Sequence, residues 1–343
     1  MKTRRRLVVA LVGIGLLGLL AFGFKGQIRS AFESFAGNDY AGSGTGSVTL
    51  VIHQGDTGTE VISELVKSGI VKSARYTTRL ADEQRVVFYP GSYQLKLRMS
   101  SLEALRVLSN PKNALSHHVT IKEGLRIGAV FSVLSKATGL AKSEFETAAG
   151  KLDDFQVGAG APSLEGYLFP ATYDFGPELS AKQILRIMND RMVEELDSFS
   201  VPKKDWHRVL TLAGLIQAEA RLTPDFYKVS RVFLNRIDTG MKLQSDATVS
   251  YGVGGKTVNT SAADRANPNG YNTYLNLGLP IGPISAPGHV AIDAALHPAS
   301  GSWLYFCAVN LETGETWFST TYAEHAKAVA AWRQWMKEHP GYE

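Results

Sequence analysis

Residues 209–222 read Val-Leu-Thr-Leu-Ala-Gly-Leu-Ile-Gln-Ala-Glu-Ala-Arg-Leu, and Glu219 is the only acid among them. The stretch is apolar on nearly every side of a helix, so that helix belongs in an interior. A carboxylate there is costly unless it is paired, faces a cleft or keeps its proton. A retained proton near neutral pH is what a general acid requires. The competing assignment is an ion pair with Arg221, Arg231 or Arg236, and residue chemistry alone leaves both open. Other chemistries lack their residues. His289, His297 and His325 do not have the i, i+4 spacing of a zinc helix and fit capping or core positions, so no metal site is expected. No Gly-x-Ser-x-Gly elbow occurs. The single cysteine, Cys307, lies in the apolar run Trp303–Val309, which reads as a buried strand. It can form neither an internal disulfide nor a cysteine-based zinc cluster.

The elements around Glu219 follow from local signals. Trp206 to Leu222 reads as one helix, and Thr223-Pro224 starts a second with proline at its first position. Val229, Val232, Phe233 and Ile237 space that second helix, and Gly240 ends it. Lys242 to Pro287 is rich in loop residues. Trp303–Val309 and Thr316–Ser319 predict a strand pair, and Thr321 with Glu324 predicts a capped final helix that stops before Pro340.

Upstream, Val48–Ile52 reads as a strand, followed by a turn at Gln54-Gly55 and a helix spaced by Val61, Ile62, Leu65 and Val66. The pattern recurs 69 residues later, with Ile121 and Gly124 matching Ile52 and Gly55, and Val130, Ser132 and Leu134 matching Val61, Ser63 and Leu65. Two copies imply a small duplicated module, since solenoids need about three or more repeats. Between the copies, Val86–Tyr89 and Ser92–Leu97 predict a hairpin around Pro90-Gly91, and Ser100 with Glu103 a capped helix to Leu108.

The 343 residues are 44% hydrophobic and 20% charged, which excludes a disordered chain and a polytopic membrane protein. The formal net charge of +4 is unevenly placed: residues 1–30 hold six basic residues and no acid, and the rest carries 30 basic against 32 acidic. The basic excess is terminal and gives no support to nucleic-acid binding. Leu7–Phe24 is an uncharged run of 18 residues behind Arg4, Arg5 and Arg6. That pattern predicts a single transmembrane helix with the N-terminus in the cytoplasm and the remainder exported. The competing reading is a cleaved signal peptide, but no clean small-x-small site follows and the run exceeds a usual h-region. Glycine and serine dominate residues 36–47, so 25–47 is expected to be a flexible tether.

With these blocks in hand, Leu212-Ala-Gly-Leu-Ile-Gln-Ala-Glu219 resembles the catalytic helix of the YceG-like, or MltG-type, endolytic murein transglycosylases. The resemblance continues through Val232–Arg236, Gly240–Val249, Tyr271–Tyr274, Gly278–Pro280, Gly282–Ile284 and Ala295–Pro298, and upstream through Leu164–Pro170. It implies an α+β protein: tail 1–6, transmembrane helix 7–24, tether 25–47, LysM-like module 48–112 and a larger catalytic domain 113–343. Relatives often carry a second acid where this chain has Gln217, a basic residue where it has Ala218, and proline where it has Ile281 and His53.

The chemistry implied is lytic cleavage of nascent glycan between N-acetylmuramic acid and N-acetylglucosamine, with no cofactor. Glu219 would serve as acid and then base, because the substrate's own C6 hydroxyl replaces water. Gln244, Asp246, Tyr271, Asn272, Thr273 and Tyr274 are the expected wall of the sugar site, joined by Glu165 as a second carboxylate able to face the cleft. Turn chemistry for Asn272 and Thr273 and a structural ion pair for Glu165 are the alternatives. The implied partners are glycan strands, the cell membrane and peptidoglycan synthases. The rival functions are a non-catalytic wall-binding scaffold and a hydrolytic muramidase, the latter needing Asp246 or Glu165 as a second carboxylate.

Overall fold

The computed structural model describes residues 37–255 and 260–341. The expected cytoplasmic tail and transmembrane helix, residues 1–24, lie outside the described residues. Among those described, no helix is long and apolar enough to cross a membrane. The fold is mixed α+β, and the described residues divide into two compact units, one up to 117 with 174–178, the other 118–173 with 179 onward.

The first unit is built from β1 (Thr45–Ile52), α1 (Gly58–Lys67), α2 (Ala74–Gln84), β2 (Gly91–Leu97), α3 (Ser101–Leu108) and β3 (Ala114–Leu115). Its sheet has the order β1-β2-β3, all antiparallel. Thr57 and Glu60 close a reciprocal capping box on α1, satisfying two N–H groups that would otherwise lack partners. Leu50, Leu65, Ile70, Tyr93, Leu105 and Leu108 meet in one buried core.

Two expectations need correction here. Val86–Tyr89 does not form a strand, and no hairpin forms at Pro90-Gly91. The α2 helix ends in a left-handed residue, Arg85, and β2 pairs with β1, some 45 residues earlier. Local alternation predicts a strand but not its partner. The tether expectation also fails from residue 37 onward. Asp39 is 2% exposed and accepts bonds from the Ser101 N–H (3.1 Å) and Ser101 Oγ (2.9 Å) at the start of α3. A carboxylate at a helix N-terminus is favoured by the dipole and the free N–H groups there. Glycine-rich composition marks freedom of φ, which Gly37, Gly42, Gly44 and Gly46 all use, with positive values in an ordered segment.

The second unit runs through β4 (His117–Thr120), α4 (Ile127–Thr138), α5 (Lys142–Ala149), β5 (Thr172–Phe175) and α6 (Ala181–Ser198), except that the first residue of β4 and the last two of β5 fall in the first unit. It continues with α7 (Trp206–Glu219), α8 (Thr223–Asp238), α9 (Asp246–Gly252), α10 (Ala262–Ala266) and α11 (His289–Leu296). It closes with β6 (Tyr305–Ala308), β7 (Thr316–Ser319) and α12 (Tyr322–Glu338). The sequence repeat is realised as repeated order, β1-α1-α2-β2 and then β4-α4-α5-β5, with Gly55 and Gly124 both at positive φ. As the apolar pattern requires, α7 is central: Val209 to Ile216 is wholly buried, and the helix packs on α11 and α8. Gly214 lets the 285 backbone approach, since a Cβ there would meet the Ser285 carbonyl at 3.2 Å. The β6–β7 hairpin is antiparallel, pairing Tyr305 with Ser319. Cys307 lies on β6, half-buried, its thiol pushed up by burial.

Removing the Asp39 carboxylate leaves the buried Ser101 N–H without its acceptor, a loss of about 1–3 kcal/mol, while the Ser101 hydroxyl keeps Thr77 Oγ1 at 2.8 Å. Thermal unfolding of Asp39→Ala should therefore show a lowered first-unit transition, whereas a free tether would show none.

Candidate active site

The α7 helix stops three residues earlier than its apolar pattern predicts. Ala220 is already extended, so Glu219 is the last helical residue. That position matters electrically, because helix C-termini carry partial negative charge that disfavours another anion. Glu219 is half-buried and lines a cavity of about 380 Å³ with Arg236, Gln244, Ser245, Asp246 and Tyr274. Its carboxyl is held above the ordinary range of 4.5, chiefly by desolvation. Ser245 opposes that shift by donating Oγ–H to Glu219 Oε1 at 2.6 Å, while Asp246 adds to it and Arg236 reduces it.

The structural alternative for Glu219 is not realised. Arg221 donates to the Leu311 carbonyl (2.6 Å), Arg231 to that of Ala299 (2.7 Å), and Arg236 to those of Leu304 (2.6 Å) and Leu243 (2.7 Å). Among the described residues none of the three forms an ion pair with Glu219. The carboxyl keeps one neutral donor and an open cavity, the setting in which a proton is retained.

The expected sugar wall separates into three groups. Gln244, Asp246 and Tyr274 do line the cavity with Glu219. Asp246 Oδ1 accepts from Thr260 Oγ1 (2.6 Å) and Tyr274 OH (3.0 Å), which braces it against the loop. Asn272 and Thr273 do not face the cavity; they are buried and act on the backbone. Asn272 Nδ2 donates to the carbonyls of Arg265 (2.9 Å) and Asn267 (2.8 Å), and its Oδ1 accepts from Tyr274 N–H (3.0 Å). Thr273 Oγ1 accepts from Ser245 N–H (3.0 Å), and the Thr273 carbonyl accepts from Gln244 N–H (3.1 Å). Those bonds hold Gln244 at φ 51°, a strained conformation for a residue with a side chain. They also aim Ser245 at Glu219. Asn272 thus does local turn chemistry, whereas Thr273 bonds Ser245, 28 residues earlier, and both position the site from behind.

Tyr271 and Glu165 form the third group and do not line the cavity that holds Glu219. Tyr271 packs on Tyr251, with ring centroids 4.7 Å apart. Glu165 is 1% exposed and accepts the Ile127 N–H at 3.0 Å, supplying the cap that Arg126 does not give to α4. The expected second cleft carboxylate is therefore a helix cap.

Sequence reasoning missed Ser245, Tyr305, Phe306, Tyr322 and His325, which also line the cavity. Ser245 is adjacent to the motif residue Gln244, and its small hydroxyl gave no distinguishing signal. Tyr322 and His325 stand three apart just after the Thr321 cap, so they share a helix face. That spacing is the one trace of this wall in the sequence.

Burial pushes Glu165 from 4.5 up to about 7, against the lowering effect of the Ile127 N–H and Tyr251 hydroxyl. The native state thus holds a proton that the unfolded chain releases, so the stabilisation is complete below pH 4.5 and is lost as pH rises to about 7. The shift corresponds to at most about 3 kcal/mol. Glu165→Gln keeps an acceptor for Ile127 but cannot ionise. The melting temperature of wild type relative to this variant should fall between pH 5 and pH 8; a constant difference would show that Glu165 does not change charge in that window.

The YceG-like family model matches residues 50–331. The endolytic murein transglycosylase of Bacillus subtilis strain 168 is 31% identical over 304 residues, covering 82% of this chain and 84% of that protein. The protein of the same name from Streptococcus pneumoniae strain D39 is 28% identical over 319 residues, and the match spans 58% of its length. The 2.6 Å crystal structure of a YceG-like protein from Listeria monocytogenes matches with a TM-score of 0.55 at 28% identity, covering 82% of this chain and 99% of that one. With that match over most of its length, and with Glu219 enclosed at the end of the helix that carries the resemblance, the chain belongs to the YceG-like family.

Proposed function

We propose that this chain is a lytic transglycosylase that cuts peptidoglycan glycan strands internally, with Glu219 as its single acid–base residue. The observation that carries the reading is a carboxyl with a raised pKa, unpaired by arginine, in a polar cavity of a chain whose relatives are named endolytic murein transglycosylases. Protonated Glu219 gives its proton to the leaving glycosidic oxygen as the muramyl C1–O bond breaks. The muramyl C6 oxygen then bonds to C1, and the C6 hydroxyl proton passes to the Glu219 carboxylate. The products are a 1,6-anhydro end and a free 4-hydroxyl, the acid is regenerated, and no water is consumed. One carboxyl suffices because the nucleophile belongs to the substrate, unlike hydrolysis, which uses two.

The reading extends to the cell surface. Leu7–Phe24 anchors the chain with Arg4–Arg6 inside, and residues 25–343 are extracytoplasmic, where they meet new glycan and peptidoglycan synthases. The strand-helix-helix-strand order of the first unit supports a LysM-like, glycan-holding role. A reporter active only in the cytoplasm, fused after Glu343, should be silent; activity would remove the anchored topology.

Mass spectrometry of digested glycan decides between the readings. Anhydro-muramyl ends support the lyase, reducing ends a hydrolase using Asp246, and intact strands a binding scaffold. Glu219→Gln should lower the rate about 10²–10⁴-fold, the usual contribution of a general acid. The acid form of Glu219 disappears as pH rises through its pKa, so kcat/KM should fall on the alkaline side. Ser245→Ala removes a donor to the carboxylate and should move that limb to higher pH. Asp246→Asn removes a like charge and should move it to lower pH. Equal limbs in all three proteins would mean that Glu219 is not the titrating acid.

A further inference from the structure

The cavity wall contributed by the C-terminal elements has a chemistry of its own. Tyr305, Tyr322 and His325 form a mutual cluster: Tyr305 and His325 stack with centroids 5.1 Å apart and planes 20° apart, and Tyr322 lies 6.1 Å from Tyr305 and 6.3 Å from His325. All three line the cavity that holds Glu219. Tyr322 is 71% exposed although it is a large ring, a placement that core packing does not require. Behind the cluster, the Arg236 guanidinium lies 5.2 Å from the Tyr305 ring.

His325 carries a second signal. Its Nδ1 is shielded from solvent and has no hydrogen-bond partner among the described residues. A shielded nitrogen without an acceptor is better left as a lone pair than as N–H, so the proton of the neutral ring belongs on Nε2. Burial and the nearby Arg236 charge both favour that neutral ring. The wall is therefore uncharged, flat and aromatic, with one N–H donor. It suits a neutral ligand with an apolar face and a hydroxylated or amidated edge, which describes a pyranose ring.

We propose that Tyr305, Tyr322 and His325 form a sugar-binding subsite that takes the N-acetylhexosamine next to the bond protonated by Glu219. Tyr322 stacks on the apolar face of the ring, and His325 donates Nε2–H to a hydroxyl or acetamido oxygen at its edge. Tyr305 holds the imidazole in plane and separates it from Arg236. The subsite rests on the glycan-cleaving reading above, so its test measures binding apart from cleavage.

In a Glu219→Gln background, calorimetric titration with peptide-free strands of alternating N-acetylglucosamine and N-acetylmuramic acid gives the reference Kd. Adding Tyr322→Ala or His325→Phe should each raise Kd about tenfold, equivalent to ~1.4 kcal/mol. The phenylalanine keeps the ring on Tyr305 and removes only the nitrogens. Adding Trp317→Ala, an exposed ring that does not line this cavity, should leave Kd unchanged. With Glu219 intact, Tyr322→Ala should raise KM and leave kcat near wild type. Kd values within twofold of the reference for both variants would overturn the subsite while leaving the cleavage reading in place. Absence of glycan binding by Glu219→Gln itself would overturn both. Should His325→Phe not fold, the exposed Tyr322 still decides the question.

Discussion

A carboxyl at the C-terminal end of a buried helix is opposed by desolvation and by the helix dipole, and both terms resist ionisation. Both raise the pKa of Glu219. Ser245 supplies the counterweight, one neutral donor at 2.6 Å. That donor is placed by a knot of hydroxyls and carbonyls in which Thr273 Oγ1 takes the Ser245 N–H and meets Thr248 Oγ1 at 2.8 Å. The strained backbone at Gln244 belongs to the same knot. Strain of this kind persists where surrounding bonds over-determine it, and here they fix the hydroxyl that tunes the acid.

Arg236 shows why the site needs a cation nearby but not in contact. A guanidinium bonded to Glu219 would stabilise the anion and lower its pKa by about 1–3 units, ending its use as an acid. The arginine instead donates to the carbonyls of Leu304 and Leu243. These lie at the entry to β6 and in the loop before Ser245, so one buried side chain ties the aromatic wall to the wall that carries the counterweight. Its charge reaches Glu219 only through space, as the weakest of the influences on its pKa. The positive charge stays solvated by backbone dipoles, which is how a buried cation without a carboxylate is tolerated.

How much of this was legible in the sequence depended on how local the signal was. Glu219 stood out because an acid in an apolar helix is a conflict that physics must resolve. The caps at Ser100 and Thr321 were equally direct, since they are written within four residues. Asn272 and Thr273 were legible as polar but not as buried; an amide that bonds three backbone groups and one that bonds a sugar look alike in one dimension. Glu165 misled in the same way, its acceptor role depending on Ile127, 38 residues away. Tyr305 and His325 come from a hairpin and a helix far downstream of Glu219, and nothing before folding links them to it. The β2 strand was visible while its pairing with β1 was not, because register is a long-range property.

The repeated strand–turn–helix pattern shows one local solution used for two purposes. In the first unit a Cβ at Gly55 would meet no atom within 4 Å, and the helix that follows closes the core of that unit. In the second, the turn at Gly124 is engaged on both sides: its N–H donates to the Ala286 carbonyl, and the Ala286 N–H donates to the Leu125 carbonyl. A Cβ at Gly124 would lie 3.7 Å from Gln217 Cγ, so the turn packs against the last turn of α7. Gln217 in turn accepts the Gly288 N–H at 3.0 Å, joining α7 to the start of α11. The helix that ends in Glu219 is thereby supported on the face away from the cavity by backbone groups, which have no rotamers to relax. A carboxyl balanced between two protonation states needs that rigidity, because small displacements from Ser245 would change its pKa and its aim together. Gln217 serves here as a neutral strut, and the last turn of the helix keeps a single titrating group.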